Sequence, residues 1–179
     1  MTSKEAEKKE KQEALANLYE EYYDKIARYI FTKLGDQTQA EDLASEVFLK
    51  ALRSLGSYEE RGIKMESWLF RIAHNLIVDH FRKATKHRTI PIDTVEIESE
   101  EDPVKIAETN IEFEKVSQAM KKLGKEQREV LELRFFGGLT SKETGNVLKK
   151  NDGAIRQMQH AAVEKLRALL VADHQANEV

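Results

Sequence analysis

Residues 138–170, GLTSKETGNVLKKNDGAIRQMQHAAVEKLRALL, constrain the fold of this chain more than any other stretch. Thr140 and Glu143 have the spacing of a capping box, in which each side chain satisfies a backbone donor at the start of a helix. Val147 and Leu148 continue that short helix, Lys149-Lys150-Asn151 interrupts it, and Asn151 or Asp152 is placed to cap a second, longer one. Apolar residues at Ile155, Met158, Ala162 and Leu166 then recur at intervals of three and four and bury one face. Gly145, lacking a side chain, lets the two helices approach closely where they cross. Two helices joined by so short a turn match the helix-turn-helix motif, whose second helix enters the major groove of DNA. The outer face of that helix carries Asp152, Gly153, Arg156, Gln157 and His160. Arginine donates two bonds to a guanine edge, and glutamine bonds both edge groups of adenine. An ordinary helical hairpin with a solvated polar face has the same periodicity, but the Arg-Gln pair favours DNA.

The 179 residues suffice for one medium domain or two small ones. Glycine and proline are scarce, and aliphatic residues, Ala, Glu and Lys abound, so an all-α protein is expected. With no cysteine, disulfides, thiolate metal sites and cysteine nucleophiles are excluded. No apolar run approaches the roughly 20 residues that span a bilayer. The leading MTSKEAEKKEKQ lacks the apolar centre of a secretory signal. A cytoplasmic protein without membrane insertion is the expectation. Paired carboxylates, a phosphate-cradling glycine loop and metal-spaced histidines are all missing, so neither enzymatic activity nor a metal or other cofactor is expected.

The net charge of −3 sits oddly with DNA binding until it is divided along the chain. Residues 12–88 carry twelve basic and twelve acidic side chains, and 111–179 carry twelve against ten. Residues 89–110 carry one basic against seven acidic, together with both prolines and no helical stripe. The acidity is therefore confined to a linker, and the distribution is a better guide than the total.

Ahead of the linker, residues 1–12 read as a charged, flexible lead-in. Leu15, Leu18, Tyr19, Tyr22, Ile26, Tyr29, Ile30 and Leu34 then mark a helix of about five turns, ended by Gly35-Asp36. The next helix buries Leu43, Ala44, Val47, Phe48, Ala51, Leu52 and Leu55, and its other face carries Asp42, Ser45, Glu46, Leu49 and Arg53. Leu49 there is either the centre of a protein contact or one of the single exposed leucines that are normal on protein surfaces. The polar loop GSYEERGIKMES leads into a third helix with Leu69, Ile72, Ala73, Leu76, Ile77 and Phe81 as its core face. Arg71, Asn75, Asp79 and Arg82 form a ridge on that helix, ending in Lys83, Lys86, His87 and Arg88. Such a ridge suits phosphate contact; it also suits a solvated helix end, where the macrodipole favours cations. Trp68 is either core or a platform on which a base stacks. Beyond the linker, Phe113, Val116, Ala119, Met120 and Leu123 mark one helix, and Val130, Leu131, Leu133 and Phe135 another. The expected architecture is all-α: two small helical domains, 13–88 and 111–171, joined by the acidic linker 89–110, with a polar tail at 172–179. The second domain is the helix-turn-helix.

Two segments also resemble one family. AEDLASEVFLKAL followed by ESWLFRIAHNLIVDHFRK resembles region two of the bacterial sigma factors. LGKEQREVLELRFFGGLTSKETGNVL with IRQMQHAAVEKLRALL resembles their region four, and the order of the two resembles the compact extracytoplasmic-function group. The resemblance covers residues 13–171. It implies a transcription initiation factor that binds core RNA polymerase, directs it to promoter DNA and helps melt the minus-ten element. It implies contact with the polymerase clamp helices through Asp42, Ser45, Glu46 and Leu49, and with the polymerase flap. It places capture of an unstacked minus-ten base at the loop 57–66 and the helix from Trp68, drawing on Arg61, Lys64, Trp68, Arg71, Asn75, Arg82 and Lys83. The minus-thirty-five element falls to Asp152, Gly153, Arg156, Gln157 and His160, with Arg156-Gln157 standing where many members carry a matching pair. Lys149 and Lys150 replace the usual glycine and apolar residue of the turn and offer an added phosphate contact. Asp152-Gly153 and His160 make an unusual reading face, so no relative's promoter sequence carries over. Members are commonly held by an anti-sigma protein, which nothing in these residues identifies. The linker resembles the segment that passes near the RNA path; its charge either mimics RNA or marks a solvated spacer. The competing class is a stand-alone helix-turn-helix regulator with an N-terminal helical domain, binding half-sites as a dimer.

Overall fold

A computed structural model describes residues 3–59, 62–86 and 109–176, and among these every regular element is helical. Helix α1 spans Ser3–Leu34, so the charged lead-in is helical from Ser3 and not the flexible segment expected. Its composition accounts for this. Glu, Lys and Ala are strong helix formers, and Lys9 with Glu13 and Lys11 with Glu7 pair one turn apart. Gly35 ends the helix at φ +69°, a conformation costly for any residue with a Cβ. Asp36 then caps α2 (Gln37–Ser54), its carboxylate accepting from the Gln39 amide at 2.8 Å. A single 3-10 turn, Leu55–Ser57, and a loop lead into α3 (Met65–Lys86), which packs against both earlier helices.

The main core is drawn from these three helices. Ile26, Tyr29 and Ile30 of α1, Val47 and Ala51 of α2, and Leu69, Phe70 and Ala73 of α3 are all fully buried. Each large apolar side chain so placed contributes about 1.5–3 kcal/mol. Leu52 departs from expectation: it stands at the edge of the α2 stripe and is 49% exposed, one turn from Leu49 at 53%. Ala40, Ala44, Val47, Phe48 and Ala51 fill the contact instead.

The C-terminal half consists of α4 (Thr109–Lys121), α5 (Lys125–Leu131), a π turn (Glu132–Phe136), α6 (Ser141–Leu148) and α7 (Asp152–Ala176). Leu123, Leu131 and Ala162 form its own small core, with Met120, Val163 and Leu166 against it. Two residues expected to be buried in this half are exposed. Val116 lies one turn nearer the start of α4 than the Ala119–Met120 contact and is exposed. Phe135 is 64% exposed, because the π turn, closed by the Gly137 amide on the Glu132 carbonyl at 3.0 Å, inserts a residue and rotates the helical phase. Helix α7 continues to Ala176, through most of the expected polar tail. The linker, apart from its last two residues in α4, lies outside the described residues, as do His87 and Arg88 of the ridge and the side chain of Phe113.

The two halves share apolar packing. Leu133, Leu139 and Val147 belong to the main core, and Leu148 packs against it. Phe70 lies so close to the Gly137 backbone that a Cβ there would sit 2.9 Å from its ring. A polar cluster closes the seam. Glu129 Oε1 accepts from the Tyr29 hydroxyl at 3.1 Å, lies 3.1 Å from His74 Nδ1 and 3.4 Å from Lys33 Nζ. Lys33 also pairs with Glu132. Burial alone raises the Glu129 carboxyl, yet its bond from His74, the Lys33 charge and the Tyr29 hydroxyl together hold it at about 2. Glu132 shifts upward, because its burial outweighs Lys33. Tyr29 is pushed well up by burial and by the neighbouring carboxylates.

Candidate nucleic-acid interface

The helix-turn-helix is built as the sequence indicates. The Glu143 amide donates to Thr140 Oγ1 at 3.2 Å, and the Thr140 amide donates to Glu143 Oε2 at 2.8 Å. Helix α6 ends on Lys149, which adopts the left-handed conformation (φ 56°, ψ 43°) that costs a non-glycine residue about 1–2 kcal/mol. Gly145 is needed for a different reason from the one expected. A Cβ there would meet the Lys150 carbonyl oxygen at 2.5 Å, so the glycine clears the turn and not the second helix. Asn151 caps α7, its Oδ1 accepting from the Ala154 amide at 2.7 Å.

On α7, Ile155 is fully buried, while Gly153, Arg156, Gln157 and His160 are exposed together on the outer side. Asp152 is half-buried and engaged twice, accepting from the Ser141 hydroxyl and pairing with Arg156 at 2.6 Å. It therefore ties α7 to α6 and holds the Arg156 guanidinium over the first turn. Lys149 is exposed, whereas Lys150 already pairs with Glu126 at 2.9 Å, so a phosphate would compete for it. Arg134, which the sequence reading passed over, donates to Gln159 Oε1 at 2.8 Å and to the Leu139 carbonyl, fixing α7 against the segment before α6. A lone arginine inside the apolar run LELRFFGG was the available signal.

A second surface surrounds the loop before α3. Gly62 turns the chain at φ +77°, the Tyr58 hydroxyl donates to the Ile63 carbonyl at 3.0 Å, and Lys11 Nζ donates to the Tyr58 carbonyl at 3.1 Å. The Tyr58 ring lies 4.8 Å from the Trp68 ring, and Trp68 is half-buried against the main core. Trp68 is anchored in the core, and Tyr58, whose ring it meets, lines an open cleft of about 480 Å³. Ala14, Asn17, Leu18, Tyr58, Lys64 and Met65 line that cleft with Glu66. Arg61 lies outside the described residues. Along α3, Asn75, Arg82 and Lys83 are exposed, with Arg82 4.0 Å from Asp79. The ridge is not continuous: Arg71 turns to the seam and donates to the Asn146 carbonyl at 2.7 Å.

The third surface is the outer side of α2, where Asp42, Ser45, Glu46 and Leu49 are all exposed. The Ser45 hydroxyl lies 3.3 Å from the Tyr23 hydroxyl, and Leu52 widens the apolar part. Among the described residues no cluster of His, Cys, Asp and Glu could hold a metal ion, and no helix is long and apolar enough to cross a membrane.

Comparison with known proteins matches both halves. The models for Sigma-70 region 2 and Sigma-70, region 4 match residues 18–87 and 119–168. The ECF RNA polymerase sigma factor BldN of Streptomyces coelicolor is 38% identical over 166 residues, covering 90% of this chain; the chain spans 62% of the length of BldN. The ECF RNA polymerase sigma factor ShbA of Streptomyces griseus subsp. griseus is 34% identical over 134 residues, 72% of this chain and 70% of ShbA. The fold is similar to that of the sigma factor RpoE from Bartonella quintana, solved in complex with the anti-sigma factor NepR. That match has a TM-score of 0.69 and 21% identity, and covers 88% of this chain and 97% of that one.

Proposed function

The chain belongs to the ECF RNA polymerase sigma factors, and on that premise we propose how its three surfaces divide the work of promoter-directed transcription initiation. The outer side of α2, with Asp42, Ser45, Glu46 and Leu49 widened by Leu52, meets the clamp helices of core RNA polymerase. The cleft beside Trp68, with Arg61, Lys64, Asn75, Arg82 and Lys83, takes the melted minus-ten strand. Arg71 joins it once released from Asn146. Extruding a base costs a few kcal/mol, and stacking on an aromatic ring returns roughly 1–3 kcal/mol. Helix α7 reads the minus-thirty-five duplex through Arg156 and Gln157, flanked by Asp152, Gly153 and His160. Lys149 and, in competition with Glu126, Lys150 bind phosphate. The working units are residues 13–88 and 111–171, with the acidic segment 89–110 between them. The polymerase flap and an anti-sigma protein, such as the one that accompanies RpoE in its complex, are further partners of this reading. The role requires no covalent chemistry by the chain and no cofactor.

The observation that carries this reading is the pairing, on one chain, of a cleft beside Trp68 with a capped recognition helix presenting Arg156 and Gln157. A stand-alone regulator would have no use for the first half, which matches Sigma-70 region 2. Reconstitution with core polymerase tests it. The chain should co-purify with core and direct transcription, and Trp68→Ala should lower activity on duplex promoters while a pre-melted template restores it. Tight, specific binding of promoter duplex by the free chain, with no retention on core polymerase, would sink the reading.

A further inference from the structure

We infer that Lys11, which lies ahead of the stretch matching Sigma-70 region 2, is a positioning residue that straps the promoter-opening loop, and that this part of α1 supplies one wall of the base-capturing cleft. The inference rests on the function proposed above for that loop.

A lysine at a helix surface ordinarily keeps its ammonium in water. The Lys11 side chain is only 23% exposed and reaches across 47 positions to the Tyr58 carbonyl. Glu7, one turn earlier, lies 2.8 Å from the same ammonium and holds it over the loop. Tyr58 is therefore held at its carbonyl by Lys11, at its hydroxyl by Ile63, at its amide by Leu55 and at its ring by Trp68. The hydroxyl bond ties the start of the loop to its end, and the lysine ties both to α1. The helix face that begins at Lys11 continues through Ala14 and Leu18, at intervals of three and four, and these residues with Asn17 line the cleft opposite Tyr58 and Lys64. A Tyr58–Ile63 closure already held to α1 does not have to form when a base enters, so its bracing speeds the opening step and leaves polymerase association untouched.

Lys11→Met keeps the aliphatic stem and the helix but removes the donor; Lys11→Arg restores a donor. Because Trp68 is the single tryptophan, its emission reports on the loop in the free chain without any transcription assay. Lys11→Met should increase acrylamide quenching of Trp68 with the helical circular dichroism unchanged. In holoenzyme it should slow open-complex formation on duplex promoter about tenfold, while a pre-melted template and retention on core remain at the wild-type level. Lys11→Arg should recover most of the rate. Tyr58→Phe, which removes the bond to Ile63, should show the same selective defect. Unchanged quenching with Lys11→Met, equal defects on duplex and pre-melted templates, or failure of Arg to rescue would each overturn the inference. Changed quenching with no transcription even from the wild-type chain would instead remove the function on which it rests.

Discussion

Arg71 of α3 donates to the backbone carbonyl of Asn146 in α6 at 2.7 Å, joining a side chain suited to phosphate to the first helix of the helix-turn-helix. Around this bond Leu133, Leu139 and Val147 enter the core built by α1, α2 and α3. The two halves are thus held to one another by the same kinds of contact that hold each together.

Glu129 anchors the polar part of that seam, and its titration gives a test. Its carboxyl sits at about 2 against an ordinary 4.5. Its contribution to stability is therefore present above about 4.5 and is lost as the pH falls toward about 2. Glu132 works in the opposite sense: its raised value means that ionisation opposes the folded form, a cost absent at low pH and complete above the raised value. Glu129→Gln should destabilise the chain by roughly 3 kcal/mol at neutral pH, the scale for removing one partner of a buried ion pair. Urea midpoints of wild type and variant should draw together as the pH falls below about 4.5 and converge only near about 2; a gap that stays constant would show that the Glu129 charge does not hold the seam.

Leu49→Asp and Leu52→Asp alter residues 53% and 49% exposed. Each should change stability by no more than about 0.5 kcal/mol, and the pair should abolish retention on core polymerase. Retention at the wild-type level by a folded double variant would remove α2 from the polymerase contact.

Lys149 occupies a left-handed position, so Lys149→Gly should stabilise the fold by about 1 kcal/mol. The same change removes the phosphate contact proposed for this lysine and should lower the salt dependence of promoter binding by about one counterion. Gly145→Ala drives a methyl group to 2.5 Å from the Lys150 carbonyl and should destabilise by about 1–3 kcal/mol. Thermal unfolding reads both; a lower midpoint for Lys149→Gly would contradict the strain argument.

Arg156→Ala and Gln157→Ala should each cost about 1–3 kcal/mol on a matched promoter and relax preference at one or two base pairs of the minus-thirty-five element. Asp152→Ala should weaken the same preference less, since it only releases the Arg156 guanidinium from a 2.6 Å pairing. A randomised upstream element transcribed by each holoenzyme measures this; unchanged base preference for both Arg156→Ala and Gln157→Ala would take α7 out of the groove.

Most of the fold was legible because it rests on local rules. The Thr140–Glu143 box, a cap for α7 at Asn151 or Asp152 (Asn151 is the one that caps) and the buried stripe of α3 follow from spacing alone. Two of the failures share a cause, which is that periodicity does not know what lies opposite. Leu52 fits the stripe of α2 but stands at its edge, and Val116 fits that of α4 where cover has ended. Phe135 was misplaced because a π turn changes the period itself. The outer face of α7 could be read, since exposure there follows from the buried face. The engagement of Arg71 with Asn146, of Lys11 with Tyr58 and of Glu129 with Tyr29 could not, since each joins residues far apart in the chain.

On the function proposed above, the shared core also sets how strongly the free chain can bind a promoter. Elements named for positions thirty-five and ten lie about 25 base pairs apart, roughly 85 Å of B-form duplex. Two touching domains of this size have centres only about 25 Å apart. Only the fraction of molecules whose halves have parted can span both elements, and apparent affinity falls by that fraction. If one molecule in about a hundred is parted, binding is about a hundredfold weaker than the parted form would show. Any partner that stabilises the parted form raises promoter affinity without touching DNA, and substitutions at Glu129 or Val147 adjust it from inside the protein.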